Sequence, residues 1–347
     1  MNVYLTIKEQ AAWNNFIRRS LKYDVYHLWQ YHVIDQSGEP VMFVYQNDDL
    51  FIALPLIKRK ISGSDWFDLT CVYGYGGPIS NQNFDTLKEK HLVNFRLQFL
   101  DFMEKEHCIC VFSRLHPFLD QHYLLQHVGG VSGNGKTLFI DLSISHEEQI
   151  ERYEKRMARQ IRRLRRMPYQ ILDERTDEAV SIFHKMYTEN MVRVSASENY
   201  FFTEEYFANL LEKNKENTKL IMVYENGVPA TGAIIFHTDY IIRNHLSATA
   251  ENYLKESPGK LLTDEISLIG REMGIKYMHL GGGVGGQEDS LYIYKSYFTN
   301  QTIDDYIWRF IANEDAYNAL VEIRGFAANN HSNFFPLYRS RIAEVLE

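Results

Sequence analysis

This 347-residue sequence predicts an α/β (α+β) fold built from two copies of one unit. Three observations carry the prediction. The second half reads strand, strand, strand, a helix with glycine at its mouth, strand, helix, and the first half shows a weaker version of that order. The length suits two domains. The composition, 45% apolar and 24% charged, is that of a chain able to bury a core. The predicted boundary divides residues 1–145 from residues 146–347.

Bulk properties narrow the class. A net charge of −8 argues against a surface that coats nucleic acid, though not against one local basic patch. The three cysteines, Cys71, Cys108 and Cys110, have neither disulfide nor zinc-ligand spacing, so no metal site is expected and a reducing compartment is. The N-terminal residues lack the pattern of a secretion signal, and no apolar run reaches the ~18 residues of a membrane span. The expectation is a cytoplasmic protein without a membrane span.

Taken in order, Glu9 to Leu21 has helical spacing, and two strands, Val41 to Tyr45 and Leu50 to Ile57, flank a polar turn. In Val72-Tyr-Gly-Tyr-Gly-Gly-Pro78 the glycines and proline rule out a helix. This is a loop with exposed rings, either a binding loop or a packed aromatic turn. Phe84 to Glu106 is an amphipathic helix. The strand Cys108 to Phe112 then delivers Arg114, a candidate anion contact, or else a salt-bridge partner. Gly130 to Thr137 matches a phosphate-binding loop letter for letter, but its exit is strand-like, so a hairpin loop is expected.

Ser143 to Met167 reads as one long helix, capped at Ser145 and stopped by Pro168. Its apolar stripe is Ile150, Tyr153, Met157, Ile161 and Leu164. Arginines crowd the rest, among them Arg159, Arg162, Arg163 and Arg166, which form either a solvated face or a phosphate or RNA contact. Helices at Asp177 to Val192 and Thr203 to Lys213 follow. Three antiparallel strands come next, Leu220 to Tyr224, Ala230 to Phe236 and Tyr240 to Ser247. Ser257, Gly259 and Lys260 stand at the mouth of the helix Leu261 to Met273, where an anion could be held.

The stretch Tyr277 to Phe298 is the most informative. A short buried strand runs into Gly281-Gly-Gly-Val-Gly-Gly286, then into Lys295 set among Tyr292, Tyr294, Tyr297 and Phe298. Glycines bring backbone amides close to a ligand, and a desolvated lysine can hold developing negative charge. The glycine run also fits a dinucleotide fingerprint with Asp304 and Asp305 as ribose acids, but it follows antiparallel strands. The strand neighbour His245 is a candidate proton acceptor or a core histidine, and Asp289 a candidate orienting acid.

VYGYGGP at Val72, SRLHP at Ser113, the basic helix closing on Met167-Pro168, and Leu280-Gly-Gly-Gly through Tyr294-Lys295-Ser-Tyr-Phe298 together resemble the Fem-type aminoacyltransferases and their GNAT relatives of bacterial cell-envelope and polysaccharide loci. The resemblance spans nearly the whole chain. It implies two tandem GNAT-like acyltransferase domains with a cleft at their junction, no metal and no bound cofactor. It implies transfer of an acyl or aminoacyl group to an amine of a peptidoglycan-type or sugar-nucleotide (UDP-linked) precursor. The co-substrate would be acyl-CoA or aminoacyl-tRNA. Lys295 would lie near the reacting carbonyl, with His245 and Asp289 beside it. Ser257, Gly259, Lys260, Gly282 and Gly283 would face the donor. Tyr73, Tyr75, Gly76 and Arg114 would face the acceptor. No paired long heptad helices stand where peptidoglycan-bridge members carry a helical arm. The sequence leaves open a coenzyme A-dependent sugar N-acetyltransferase and a non-catalytic binder of an envelope precursor.

Overall fold

A computed structural model describes residues 2–325 and 334–340. The chain divides into two compact units, Met1–Asn134 with Asp304–Glu347, and Gly135–Ile303. The first boundary falls earlier than the predicted 145, and the C-terminal stretch belongs with the first unit, a return no local pattern announces.

In the first unit the chain runs β1 (Asn2–Thr6), α1 (Gln10–Arg19), α2 (Trp29–His32), β2 (Glu39–Asn47), β3 (Leu50–Lys60), β4 (Phe67–Thr70), β5 (Ile79–Ser80), α3 (Glu89–Lys105), β6 (Cys108–Arg114) and α4 (His122–Leu125). The strand β7 (Val131–Asp141) leads into the second unit. There follow α5 (His146–Arg152), α6 (Lys155–Leu164), β8 (Tyr169–Glu174), α7 (Asp177–Arg193), α8 (Glu204–Lys213), β9 (Thr218–Glu225), β10 (Val228–His237), β11 (Ile241–Thr249), α9 (Gly259–Glu272), β12 (Tyr277–Gly281) and α10 (Ser290–Ser296). The strand β13 (Thr302–Ile311) leads back, and α11 (Glu314–Ile323) follows it.

The first unit's sheet has the order β1-β2-β3-β4-β6-β13. Phe95, Phe99 and Phe102 recur at helical spacing on α3, so rings dominate its buried face, with Leu92 and Met103 beside them, and that face lies on β2. Phe43 of β2 meets the three rings at 5.7, 5.3 and 5.2 Å. The C-terminal segment is pinned here as well: Tyr338 donates to Asp68 at 2.9 Å, and Arg339 pairs with the same buried carboxylate.

In the second unit the order is β7-β12-β11-β10-β9-β8. The β9–β10 hairpin turns on Asn226 and Gly227, both at positive φ, as that dipeptide dictates. β11 and β12 run parallel, but their ladder stops at Arg243–His279. β11 continues to Thr249 and β12 to Gly281, so the two strands part at their C-terminal ends.

Two expectations of local structure are corrected. The helix read from Ser143 to Met167 is two helices, broken at Tyr153 and Glu154, whose backbones are extended. Tyr153 is turned into the core, where its hydroxyl donates to Asp264 at 3.0 Å and its ring meets Phe298 at 5.3 Å edge-on. Glu154 then caps a fresh start by accepting from Met157 N. The hairpin loop expected over Gly130 to Thr137 is instead continuous strand, since from Val131 on the stretch runs in β7, which has no helical exit. A Cβ on Gly135 would stand 2.3 Å from the Gly286 carbonyl oxygen, so that glycine serves backbone crossing. The dinucleotide fingerprint, set aside in the sequence, has no parallel strand pair behind it, because β13, the strand after the glycine run, does not pair with β12. Asp305 is buried, receives Asn134 Nδ2 at 2.6 Å, and is pushed by burial to about 6.

Candidate active site

The glycine run leaves β12 with Gly281 at positive φ, then turns through Gly285 and Gly286, also at positive φ. Asp289 closes this loop. Its carboxylate accepts from Val284 N at 3.0 Å and from Tyr292 N at 2.9 Å, and so caps α10. Those backbone hydrogen bonds hold its carboxyl below the ordinary carboxylate range. A Cβ on Gly283 would stand 2.0 Å from the Gln287 carbonyl oxygen, so Gly283 is spent on loop closure.

Lys295 lies one and a half turns into α10. Its Nζ donates to the Gly282 carbonyl oxygen at 2.6 Å, past the end of β12. Burial pulls its ammonium down to about 8, against the opposing pull of Asp289. Gly282 takes one N–H of the three an ammonium offers. Across the parting strands stands His245. It is the extra residue of a bulge in β11, since Ile234 pairs with Leu246 and Ile235 with Asn244. Its ring stacks on Phe236 at 3.9 Å. His245 is two residues beyond the last β11–β12 rung, and Gly282 is three beyond it on the other strand. Lys295 and Gly282 are thus joined by a direct contact, Asp289 ties the same loop to α10 through Val284 and Tyr292, and His245 lies on β11 with its ring against Phe236.

The helix mouth behaves differently. Ser257, at positive φ, donates through Oγ to the Leu254 carbonyl at 3.0 Å. Gly259 opens α9 behind Pro258, with no side-chain cap. Lys260 donates to Gln160 Oε1 at 2.8 Å, and burial with the nearby Arg156 and Arg163 lowers its pKa. A cavity of about 490 Å³ opens here, lined by Glu154, Arg156, Met157, Gln160, Lys260, Tyr294 and Tyr297. Sequence reasoning named only Lys260 of these as a binding residue. The others come together because the chain breaks at Tyr153, and no local pattern signals that.

The basic helix divides by use. Arg165, not singled out in the sequence, is bound to Asp264 and Glu265, with its Nε 2.9 Å from Asp264 and its Nη1 3.0 Å from Glu265. Arg159, Arg162, Arg163 and Arg166 are exposed.

In the first unit, VYGYGGP is largely a packed turn. Cβ atoms on Gly74, Gly76 and Gly77 would stand 2.2 Å from the Tyr26 ring, 2.5 Å from Cys71 and 2.4 Å from Gln121. Gly76 N donates to the Arg114 carbonyl at 2.8 Å. Tyr75 packs between Tyr26 and His116, each 5.7 Å away. The Tyr73 ring, 37% exposed, and Arg114 face solvent.

Residues 151–296 match the family model described as Acetyltransferase (GNAT) domain. That stretch contains α6, the parting strands, α9, the glycine loop and Lys295. No curated protein matches the sequence. Among solved structures the chain is similar to FemX at a TM-score of 0.73 and 12% identity, covering 92% of this chain and 99% of that one. It is similar to the C-terminal domain (DUF2156) of a putative lysylphosphatidylglycerol synthetase from Agrobacterium fabrum, at a TM-score of 0.55 and 13% identity, covering 91% and 96%. It is also similar to a tandem GNAT protein from the clavulanic acid biosynthesis pathway, at 0.52 and 8% identity, covering 90% and 98%. The second unit therefore carries a stretch that matches a GNAT acetyltransferase domain, and the chain as a whole has a tandem GNAT-like fold similar to that of FemX.

Proposed function

We propose that the chain moves an acyl or aminoacyl group onto an amine of a cell-envelope precursor by direct aminolysis. The observation that carries this reading is the partly desolvated Lys295 ammonium, fixed on the Gly282 carbonyl where β11 and β12 part. An acyl donor threaded into that opening presents its carbonyl to the remaining Lys295 N–H groups. The amine attacks the carbonyl carbon, a C–N bond forms, and the carbonyl electrons move onto oxygen. Lys295 stabilises that oxyanion. The tetrahedral centre collapses and the C–O bond of an ester, or the C–S bond of a thioester, breaks. The amine loses its proton to His245, and the leaving oxygen or sulfur gains one. Ser257, Gly259 and Lys260 are assigned to the donor's phosphate-bearing portion, where an uncapped helix start and a lysine favour an anion. Arg159, Arg162, Arg163 and Arg166 are assigned to phosphate contact, and Tyr73 and Arg114 of the first unit to the acceptor.

Mass spectrometry of UDP-linked muropeptide and amino-sugar nucleotides, each with acetyl-CoA or with charged tRNA, tests the reading. An acyl or aminoacyl mass added to the acceptor amine supports it. No adduct on any acceptor with any donor, from folded protein, overturns it.

The pH dependence follows from Lys295. Its pKa is lowered to about 8, and the active form is the cation. Turnover with saturating substrates is expected to fall as pH rises through about 8. A rise across the same interval would instead make neutral Lys295 the base.

A further inference from the structure

We propose that Asp305, Asn134 and Arg114 of the first unit form a binding site for an amino-acid head group, with the ligand's ammonium on Asp305 and its carboxylate on Arg114. The site stands on the first unit alone; that its ligand is the acceptor rests on the transfer reading above.

The three side chains come from neighbouring strands: Arg114 ends β6, Asp305 lies on β13 and Asn134 on β7. β6 and β13 pair antiparallel with Ile307 opposite Arg114. Asp305 is two residues from Ile307, so Asp305 and Arg114 point from the same face of the sheet. Asp305 is only 5% exposed. Its Oδ2 accepts from Asn134 Nδ2 at 2.6 Å. Its Oδ1 is buried and has no hydrogen-bond partner among the described residues. An ionised carboxylate placed in this way costs free energy until a donor reaches it. Burial raises its pKa to about 6, while the Asn134 hydrogen bond and the Arg114 charge pull the other way. Arg114 is therefore near enough for its charge to be felt, yet it does not bond to either oxygen. Arg114 is exposed and Asn134 partly so, which makes them the rim of a site whose floor is the carboxylate.

Two opposite charges on one sheet face, within each other's field but unbridged, suit a ligand that carries both signs. A plain anion would satisfy Arg114 and leave Asp305 unpaired. A plain amine would satisfy Asp305 and sit against the guanidinium. An α-amino acid group meets both. An ammonium held by Asp305 keeps its proton and cannot attack a carbonyl, so the head group is a handle. The amine that is acylated is then a second one in the same molecule. The site narrows the acceptor to compounds with a free amino-acid head group and a further amine.

The test is isothermal titration calorimetry of the full chain with L-lysine and D-lysine. The controls are cadaverine, which lacks the carboxylate, and 6-aminohexanoate, which lacks the α-ammonium. One lysine enantiomer is expected to bind at least about tenfold tighter than either control. Asp305→Asn is expected to weaken lysine about tenfold, to the level of 6-aminohexanoate, and to leave 6-aminohexanoate unchanged. Arg114→Gln is expected to bring lysine to the level of cadaverine. Asp305→Asn should be at least as stable as wild type near neutral pH. A carboxyl whose folded pKa is raised loses its stabilising contribution as pH rises through that value, and the amide carries no such cost. No binding of either lysine at about 10 mM, equal binding of lysine and both controls, or undiminished binding by Asp305→Asn would overturn the proposal. An Asp305→Asn variant clearly less stable than wild type would also overturn it, by making the carboxylate a structural acceptor. Calorimetry needs no donor and no turnover, so its failure leaves the transfer reading to mass spectrometry and the Lys295 variants. Lysine binding without any transfer would sink that reading and keep the head-group site.

Discussion

Replacing Lys295 with methionine is expected to lower kcat for transfer by about 10²–10³-fold, with KM for both substrates within about threefold of wild type. The reasoning is that the ammonium acts on charge present only in the transition state. Methionine keeps the length and apolar stem of the side chain and removes the charge. The fold should tolerate the change, because burial already disfavours the ammonium here, as its lowered pKa records. Against that relief stands the loss of one hydrogen bond to the Gly282 carbonyl, about 1 kcal/mol. The melting temperature should therefore stay close to wild type, which separates a catalytic loss from an unfolded protein. Lys295→Arg should recover part of the rate, since charge is kept but the compact ammonium is not. An unchanged kcat in Lys295→Met would remove this residue from the mechanism and leave the glycine loop as scaffolding.

The parts of this site that are legible in the sequence are those set by local chemistry. Gly281 to Gly286 followed by Lys295 among aromatics is a local signal, and the contacts of Lys295, Gly282 and Asp289 all fall within that stretch. Asn226-Gly227 and Ser145 with Glu148 act as turn and cap for the same reason. What escapes local reading is decided by tertiary burial. Helical periodicity runs unbroken through Tyr153, yet the helix breaks because that ring and hydroxyl are worth more against Phe298 and Asp264 than one more helical turn. β13 escapes because its residues pair with β6, far away in sequence. The glycines of VYGYGGP read equally well as binding or packing, and only the atoms a Cβ would strike show that packing uses most of them.

The second large effect concerns Asp264, a fully buried carboxylate in the middle of α9. An acid between the core-facing Leu261, Leu262 and Ile266 is the one sequence hint that something there must compensate it. His146 Nε2 lies 3.0 Å from one oxygen, Tyr153 donates to that same oxygen at 3.0 Å, and Arg165 Nε donates to the other at 2.9 Å. These partners come from α5, from the break, and from the residue that ends α6, so a single carboxylate ties both halves of the broken helix to α9. Burial alone would raise its pKa, but the His146 hydrogen bond and the Arg165 charge outweigh burial and hold it below the ordinary aspartate value. The sign follows. A carboxyl with a lowered folded pKa contributes stability in full above its unfolded pKa and loses it as pH falls through the folded value. Asp264→Ala is expected to destabilise the chain by about 3–5 kcal/mol in urea unfolding near neutral pH, because Arg165 and Tyr153 lose their partner inside the unit. Arg165 keeps some access to water at 32% exposure, which favours the lower end of that range. The gap between wild type and Asp264→Ala should narrow as the solution is acidified below the usual carboxylate range. Tyr153→Phe alone should cost about 1–2 kcal/mol, and adding it to Asp264→Ala should cost less than the sum, because the hydroxyl's acceptor is already gone. Strict additivity of the two, or an Asp264→Ala variant as stable as wild type, would show that the break in the helix is held by Phe298 packing and not by the carboxylate.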